Sequence, residues 1–437
     1  MLEPTLTREA TELLQALVRF NTVNPPGNER AAIEHLDAYA SAAGFACEQI
    51  AAEPSRPNLV ATLDSGVDGP VLCYLGHVDT VLATPEEWRH DPWSGFVDQD
   101  GMLWGRGALD MKSQVAAEAV AAVSLARSGW RPARGAIKLV FVADEETGGE
   151  VGARFLCEQH PEKVRCDMLL NEGAGAPLQW AGARRYGVCC GEKGIFRFKL
   201  TARGVAGHAS LPAVGENALL KLVPVLSRLA AAQPSYTLVD VTRELLTTLG
   251  GSPDDPARAV VALREADPRL PVMLEPMLGV TLAPTMIHAS DKLNVIPSRA
   301  ELKIDCRVPP GLGPDVALAG LREVLGPTAE LVEIEFTEQT YGYSSPPRGE
   351  LIDAIRSWLA VHDPGAQTLP VLLPGFSDSS WFRRAFPDLV AYGFFPHRHQ
   401  QVLQTAPLVH SADERIDIRD LGYATQFYAD LAQTLLG

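Results

Sequence analysis

The sequence predicts an α/β protein: a three-layer α/β/α domain with a mostly parallel sheet, interrupted by a smaller α+β domain. Three observations carry this. Apolar runs at "NLVATL", "VLCYLGH" and "IKLVFVA" are interleaved with helical patterns, and strands apolar on both faces belong to sheets covered by helices on both sides. Around residue 190 the texture changes: "GIFRFKLTARG" alternates polar and apolar, as an antiparallel strand with one solvated face does. After about residue 338 the α/β texture returns. The middle stretch, 192–337, is therefore read as an insertion into a discontinuous domain formed by 1–191 and 338–437.

Each element has its own signal. Leu13, Leu14, Leu17 and Val18 recur at helical spacing in an N-terminal amphipathic helix (about 7–20), stopped by Pro25, Pro26 and Gly27. A second helix runs through "ERAAIEHLDAYASAAG" to Gly44. The three strands follow, with the alanine-rich helix "SQVAAEAVAAVSLARSG" before the third, and "CDMLLNEG" supplies a fourth strand ending on an acid. In the insertion, "GIFRFKLTARG" leads to a helix at "NALLKLVPVLSRLAAA" and to strands in "IPSRAELKIDCRV" and "LVEIEF". The segments "VLLPGFSDSSWFRR" and "DLVAYGFFP" and a last helix in "DIRDLGYATQFYADLAQTLL" complete the α/β layer.

Composition excludes several classes. The 437 residues, 46% apolar and 21% charged, suit a globular chain of two or three domains at ~100–200 residues each. A net charge of −16 lacks the basic footprint that nucleic acid or an anionic membrane needs. No apolar run approaches the ~18 residues of a membrane span, and the start lacks the basic segment of a signal peptide. The seven cysteines include no CxxC pair, which fits a reducing compartment; a cytoplasmic location is expected. A serine hydrolase of the α/β type would carry G-x-S-x-G and a P-loop protein G-x-x-x-x-G-K-[ST]; neither occurs.

The chemistry gathers at strand ends. "YLGHVDT" places His77 and Asp79 two residues apart, "WGRGALDMK" places Asp110 just before the alanine-rich helix, and "LVFVADEETGG" drives an apolar strand into Asp144, Glu145 and Glu146. Glu172 closes "LLNEG", and His410 sits in "LVHSADERID". A lone carboxylate after a strand is usually a helix cap or a solvated acid, and lone histidines such as His35, His90, His160 and His362 are usually packing residues. But sites of open α/β sheets lie at the carboxyl ends of the strands, and acids crowded there need cations to offset their burial. Two Zn²⁺ ions would set four positive charges against three carboxylates and a hydroxide. Histidine and carboxylate donors suit zinc, cobalt or manganese. Successive residues of an extended chain point opposite ways, so one of Glu145 and Glu146 can bind metal while the other faces substrate as a base. Asp79 is placed to hold the second ring nitrogen of His77.

The motifs "GHVDT", "WGRGALDMK", "ADEETGG", "NEG", "RGVAGHAS" and "HSADERI" resemble those of the dinuclear-zinc peptidase and deacylase family of aminoacylase-1, carboxypeptidase G, acetylornithine deacetylase and succinyl-diaminopimelate desuccinylase. The resemblance implies that His77 and Glu172 each bind one zinc, Glu146 and His410 the other, and that Asp110 bridges both. It makes Glu145 the general base and later proton donor, and Asp79 the residue orienting His77. It makes the inserted domain a lid and dimerisation domain, through which the protein forms a homodimer. His208 of "GVAGHASLP" then polarises the scissile carbonyl in the partner subunit's site. Asn294 in "KLNVIP" and Arg307 in "KIDCRVP" resemble positions that hold a substrate carboxylate, and Gly375 in "PGFSDSS" a pocket-lining loop. The implied activity is metal-assisted hydrolysis of N-acyl amino acids, or of peptides cut next to a free carboxylate; Glu172 rather than aspartate favours this branch over dipeptidases and aminopeptidases. A dipeptidase or aminopeptidase, and a non-catalytic metal- or peptide-binding relative, are the alternatives. Residues 236–277 look like an insertion with an extra helical segment and a Pro/Asp-rich loop.

Overall fold

The computed structural model describes residues 4–437. These fall into two compact units. One comprises the chain through Gly191 with Ser345–Val371 and Phe376–Gly437; the other comprises Glu192–Ser344 with Leu372–Gly375. The return to the first unit at Ser345 lies beyond the expected 338, because the strand Glu333–Thr340 pairs with Gly194–Arg203 as far as Thr340. Gly375, expected in the α/β part, lies in the second unit.

The first unit is built on a nine-stranded sheet. Val71–His77 lies between Ala136–Val142 and Met168–Asn171, parallel to both, and Val390–Gly393 runs parallel to Met168–Asn171. The margins are antiparallel: Asn58–Asp64 pairs so with Ala136–Val142, and Ala183–Glu192 with Val390–Gly393. The alternation of a strand decides which layer each residue meets. Cys73 and Leu75 pack with Val140, Val142, Leu156, Cys157 and Phe382 on the side of helices Ala153–Gln159 and Ser379–Ala385. Tyr74 points the other way, its ring against Tyr428 and its hydroxyl donating to the Tyr428 carbonyl at 2.6 Å. On that side Pro4–Arg19, Lys112–Arg127 and Ile418–Leu436 pack on one another. The exposed edge strand Ala46–Ile50 goes beyond the expected set, as does the first half of the strand Ala183–Glu192, before Cys189 and Cys190.

The second unit has a four-stranded antiparallel sheet in the order Thr281–His288, Arg299–Val308, Gly194–Arg203, Glu333–Thr340. Phe196, Phe198 and Leu200 join Leu302, Ile304 and Cys306 beneath helices Ala218–Ala230 and Pro314–Leu325. The intervening residues carry ion pairs across the outer face, Arg197 with Asp305, Lys199 with Glu335 and Arg203 with Glu333. The 236–277 segment forms three helices, Asp240–Thr248, Pro256–Ala266 and Arg269–Leu274, burying Val241, Leu245, Val260, Leu263 and Leu270. Asp255 starts the middle one by accepting the Arg258 N–H, with Pro256 in the first turn.

All seven cysteines are free thiols, and Cys189 and Cys190 are buried in the strand Ala183–Glu192. Four histidines read as packing residues lie against rings: His35 tilted on Phe20, His90 tilted on Phe96 and edge-on to Trp104, His160 edge-on to Phe155, and His362 stacked on Trp358. Among the described residues no helix is long and apolar enough to cross a membrane.

Candidate metal centre

Three neighbouring parallel strands deliver their terminal residues to one rim. Val71–His77 ends on His77, Ala136–Val142 leads into Asp144–Glu146, and Met168–Asn171 is followed by Glu172. Asp110 reaches the same place from the loop before Lys112–Arg127, and its peptide bond to Met111 is cis. His77 Nε2 lies 3.2 Å from Asp110 Oδ1. His410, from far down the chain, lies 3.0 Å from Asp110 Oδ2 and 3.2 Å from Glu146 Oε2. Two sets of potential ligand atoms, His77–Glu145–Glu172 and His77–Asp110–Glu146, each fall within 4.8 Å of one another. The six residues therefore meet at one site.

Two local features differ from expectation. Glu145 and Glu146 are not on an extended chain: Glu145–Thr147 is a single 3₁₀ turn, entered through Asp144 at φ 74°. Successive residues of such a turn, at three per turn, also diverge, so the two carboxylates separate for a different geometrical reason. Asp79 lies beside His77, but the acceptor nearest Nδ1 is its backbone carbonyl at 3.0 Å, with Oδ1 at 3.4 Å. The Asp79 carboxylate accepts the N–H groups of Glu145 and Glu146, both at 3.2 Å.

The sequence reading passed over Glu414 and Arg106. Glu414 Oε1 accepts the N–H of Leu109 at 2.6 Å and of Asp110 at 3.0 Å, while Oε2 pairs with Arg106 at 2.6 Å. Both stand inside quoted motifs, Arg106 in "WGRGALDMK" and Glu414 in "HSADERI", but no local pattern there gives either a role.

Electrostatics tests whether this donor set fits a cation. Burial pushes the Glu145 carboxyl well above its ordinary range, with the charge of Glu172 adding to it. Glu172 is raised in the same way, by burial and then by Asp110. For Asp110 burial is outweighed by the hydrogen bonds of His410 and His77, which hold it well below the usual range. Burial likewise opposes charge on His77, yet Asp110 and Asp79 raise it well above its usual value. His410 is pushed up to about 10 by Asp110 and Glu146. Imidazoles raised by neighbouring acids and carboxyls raised by burial and by one another make a donor set that fits a divalent cation. A metal needs neutral imidazole and ionised carboxylates, so loading at pH 7 expels protons. Affinity should rise between pH 6 and 8, about tenfold per unit for each proton released. Titration calorimetry in buffers of different ionisation enthalpy would measure this, and no net release would contradict the protonated metal-free state.

The remaining expected residues lie on the second unit. His208 pairs with Val295, and the N–H of Ala209 donates to the Asn294 carbonyl at 3.0 Å, so exposed His208 and Asn294 are neighbours. The Arg307 guanidinium is held by Asp305, with Nε 2.7 Å from Oδ1. At Gly375 a side chain would meet only Leu373, at 3.8 Å.

The succinyl-diaminopimelate desuccinylase of Hydrogenovibrio crunogenus is 26% identical over 98% of this chain and 99% of its own length. That of Alkalilimnicola ehrlichii is 35% identical over 52% of this chain and 58% of its own length. Among solved structures, a family M20 metallo-carboxypeptidase from Sulfolobus solfataricus covers 98% of this chain and 99% of its own at a TM-score of 0.74 and 19% identity. A di-peptidase from Saccharomyces cerevisiae covers 99% of this chain and 96% of its own at a TM-score of 0.68 and 15% identity. Residues 73–434 match Peptidase family M20/M25/M40, and the chain belongs to that family of metal-dependent hydrolases.

Proposed function

We propose that the protein hydrolyses the amide bond of N-acyl amino acids, or the peptide bond next to a free carboxylate, using two zinc ions per chain, with cobalt or manganese as substitutes. The observation that carries this is the convergence of His77, Asp110, Glu145, Glu146, Glu172 and His410 on one sheet rim. His77 and Glu172 would hold one ion, Glu146 and His410 the other, with Asp110 shared. When bound, the ions supply Lewis acidity and lower the pKa of water toward neutrality. Glu145, recessed and raised in pKa, takes the proton of the attacking water and returns it to the leaving amine. Asp79 keeps His77 in place. His208 would donate to the oxygen of the scissile carbonyl in the partner subunit's site. Arg307, whose planar fork suits a carboxylate, and Asn294 bind the substrate's acid end, and the backbone at Gly375 lines the pocket.

The second unit would serve as lid and dimerisation surface. Supporting this, Thr281–His288 is an edge strand with Met286 and Ile287 exposed, and Leu220 and Val223 are exposed on helix Ala218–Ala230. Apolar edges of this kind are normally covered. Sedimentation at micromolar concentration should show a dimer, and loss of it in Ile287→Lys would locate the contact.

The activity test is free-amine release from pooled N-acyl amino acids and unblocked dipeptides, with zinc-loaded protein and a chelated control. Metal-dependent release from the N-acyl pool is expected. Release from dipeptides alone would replace this reading with a dipeptidase.

A further inference from the structure

Three consecutive acids open the Glu145–Thr147 turn, and the proposed chemistry uses only two. The first, Asp144, is buried and heavily engaged. Its Oδ1 accepts from Asn24 Nδ2 at 3.0 Å and from the Thr147 hydroxyl at 2.6 Å, and faces Arg56 Nη1 at 3.0 Å; its Oδ2 accepts the Val151 N–H at 3.1 Å. Arg56 is in turn held by Glu29, with Nη2 at 2.7 Å and Nε at 3.1 Å from its carboxylate oxygens. Asn24 Nδ2 also donates to Asp79 Oδ2 at 2.9 Å. The chain of contacts runs from Glu29 through Arg56, Asp144 and Asn24 to Asp79, whose carboxylate accepts the N–H groups of Glu145 and Glu146.

This gives a purpose to "NTVNPPGNE", which sequence reading used only as a helix stop. Asn24, Gly27 and Glu29 all come from it. Gly27, at φ +81°, lies so close that a Cβ there would sit 2.2 Å from Arg56 Nε; only glycine lets the turn close over the guanidinium. Asp144 itself adopts φ 74°, a region in which a non-glycine residue persists only where its surroundings hold it.

We infer that Asn24, Glu29, Arg56 and Asp144 are positioning residues that fix the Glu145–Glu146 turn and the Asp79 carboxylate as one unit. Asn24 is the joint: its single amide spans both acids. Without it the turn and the residue beside His77 are joined only by the Glu145 and Glu146 N–H groups, both at 3.2 Å, and the frame shared by base and ligands loosens. The inference rests on the assignment of Glu145 as base and Glu146 as ligand.

The test compares Asn24→Ala with wild type in the full-length enzyme, reading kcat, KM, zinc affinity by chelator competition and the unfolding midpoint of the metal-free protein. A loss of about 10–100-fold in kcat and in zinc affinity, of the size seen when partners of metal ligands are removed, is expected, with KM within about threefold. The effects of Asn24→Ala and Asp79→Asn on kcat should combine to less than their product, since both break one link. If Asn24→Ala does not fold, the isosteric Asp144→Asn is expected to move the same two quantities. A drop in unfolding midpoint with kcat and zinc affinity unchanged would overturn the inference, leaving a structural network only. Glu145→Gln separates the two levels. If it is inactive while Asn24→Ala behaves as wild type, the inference alone fails; if it turns over normally, the functional reading fails and the inference with it.

Discussion

Replacing Glu145 by glutamine should abolish turnover while leaving the bound metal in place. The change preserves shape and removes only the ability to hold a proton. General acid–base groups contribute ~10²–10⁴-fold, and Glu145 would serve at both ends of the reaction, so a loss of at least about 10³ in kcat is the expected size. Metal content should persist, because His77, Asp110, Glu146, Glu172 and His410 are untouched. Burial first and the charge of Glu172 next raise Glu145; glutamine takes away no ligand, so the ions should stay bound although the cluster attracts them with one negative charge fewer. Elemental analysis beside steady-state kinetics decides the matter. Activity near wild type would exclude Glu145 as base, and loss of metal would make it a ligand instead.

The second large effect concerns stability as well as activity. Arg106 and Glu414 form an ion pair whose side chains are 3% and 0% exposed. Removing one partner of such a pair strands the other charge, at a cost of ~3–5 kcal/mol. Glu414→Ala should therefore lower the unfolding midpoint of the metal-free protein by several degrees. It should also weaken metal retention, since the Leu109 and Asp110 N–H groups lose their acceptor and the loop carrying Asp110 loosens. The double change Arg106→Met with Glu414→Leu separates the two roles. Much of the stability should return, because apolar replacement of a buried pair is often neutral or better, while zinc affinity stays low. An unchanged midpoint and zinc affinity in Glu414→Ala would refute both parts.

What could be read from the sequence, and what could not, follows from range. Strand ends, caps and alternation are local, so the runs ending on His77, in Glu145–Glu146 and on Glu172 were visible before any fold was known. The α+β texture of "GIFRFKLTARG" was equally plain, since Phe196, Phe198 and Leu200 face one way and Arg197 and Lys199 the other. The strand Ala183–Glu192 was legible only at Cys189 and Cys190, two small apolar residues that suit a strand; its first half carries Arg184 and Arg185 and no clear period. The turn at Glu145–Thr147 was read as extended because an apolar strand ran straight into it. Asp144, Asn24, Arg56 and Glu414 were invisible as functional residues for another reason. Their partners lie far away in sequence, Asn24 bonding 120 residues ahead and Glu414 304 residues back, and no local pattern encodes such a pairing.

The discontinuity of the first unit also has a consequence for synthesis on the ribosome. Its sheet is incomplete until Val390–Gly393 fits beside Met168–Asn171, and the Asp110 loop has no acceptor until Glu414 arrives. Most of the second unit, Glu192–Ser344, emerges in between, which at ~5–20 residues per second delays closure by roughly ten to thirty seconds. During that interval the apolar edge at Met168–Asn171 waits unpaired, and the second unit has time to fold on its own. Translation that stops before residue 414 should leave a nascent chain with a folded middle and an open, chaperone-dependent first half.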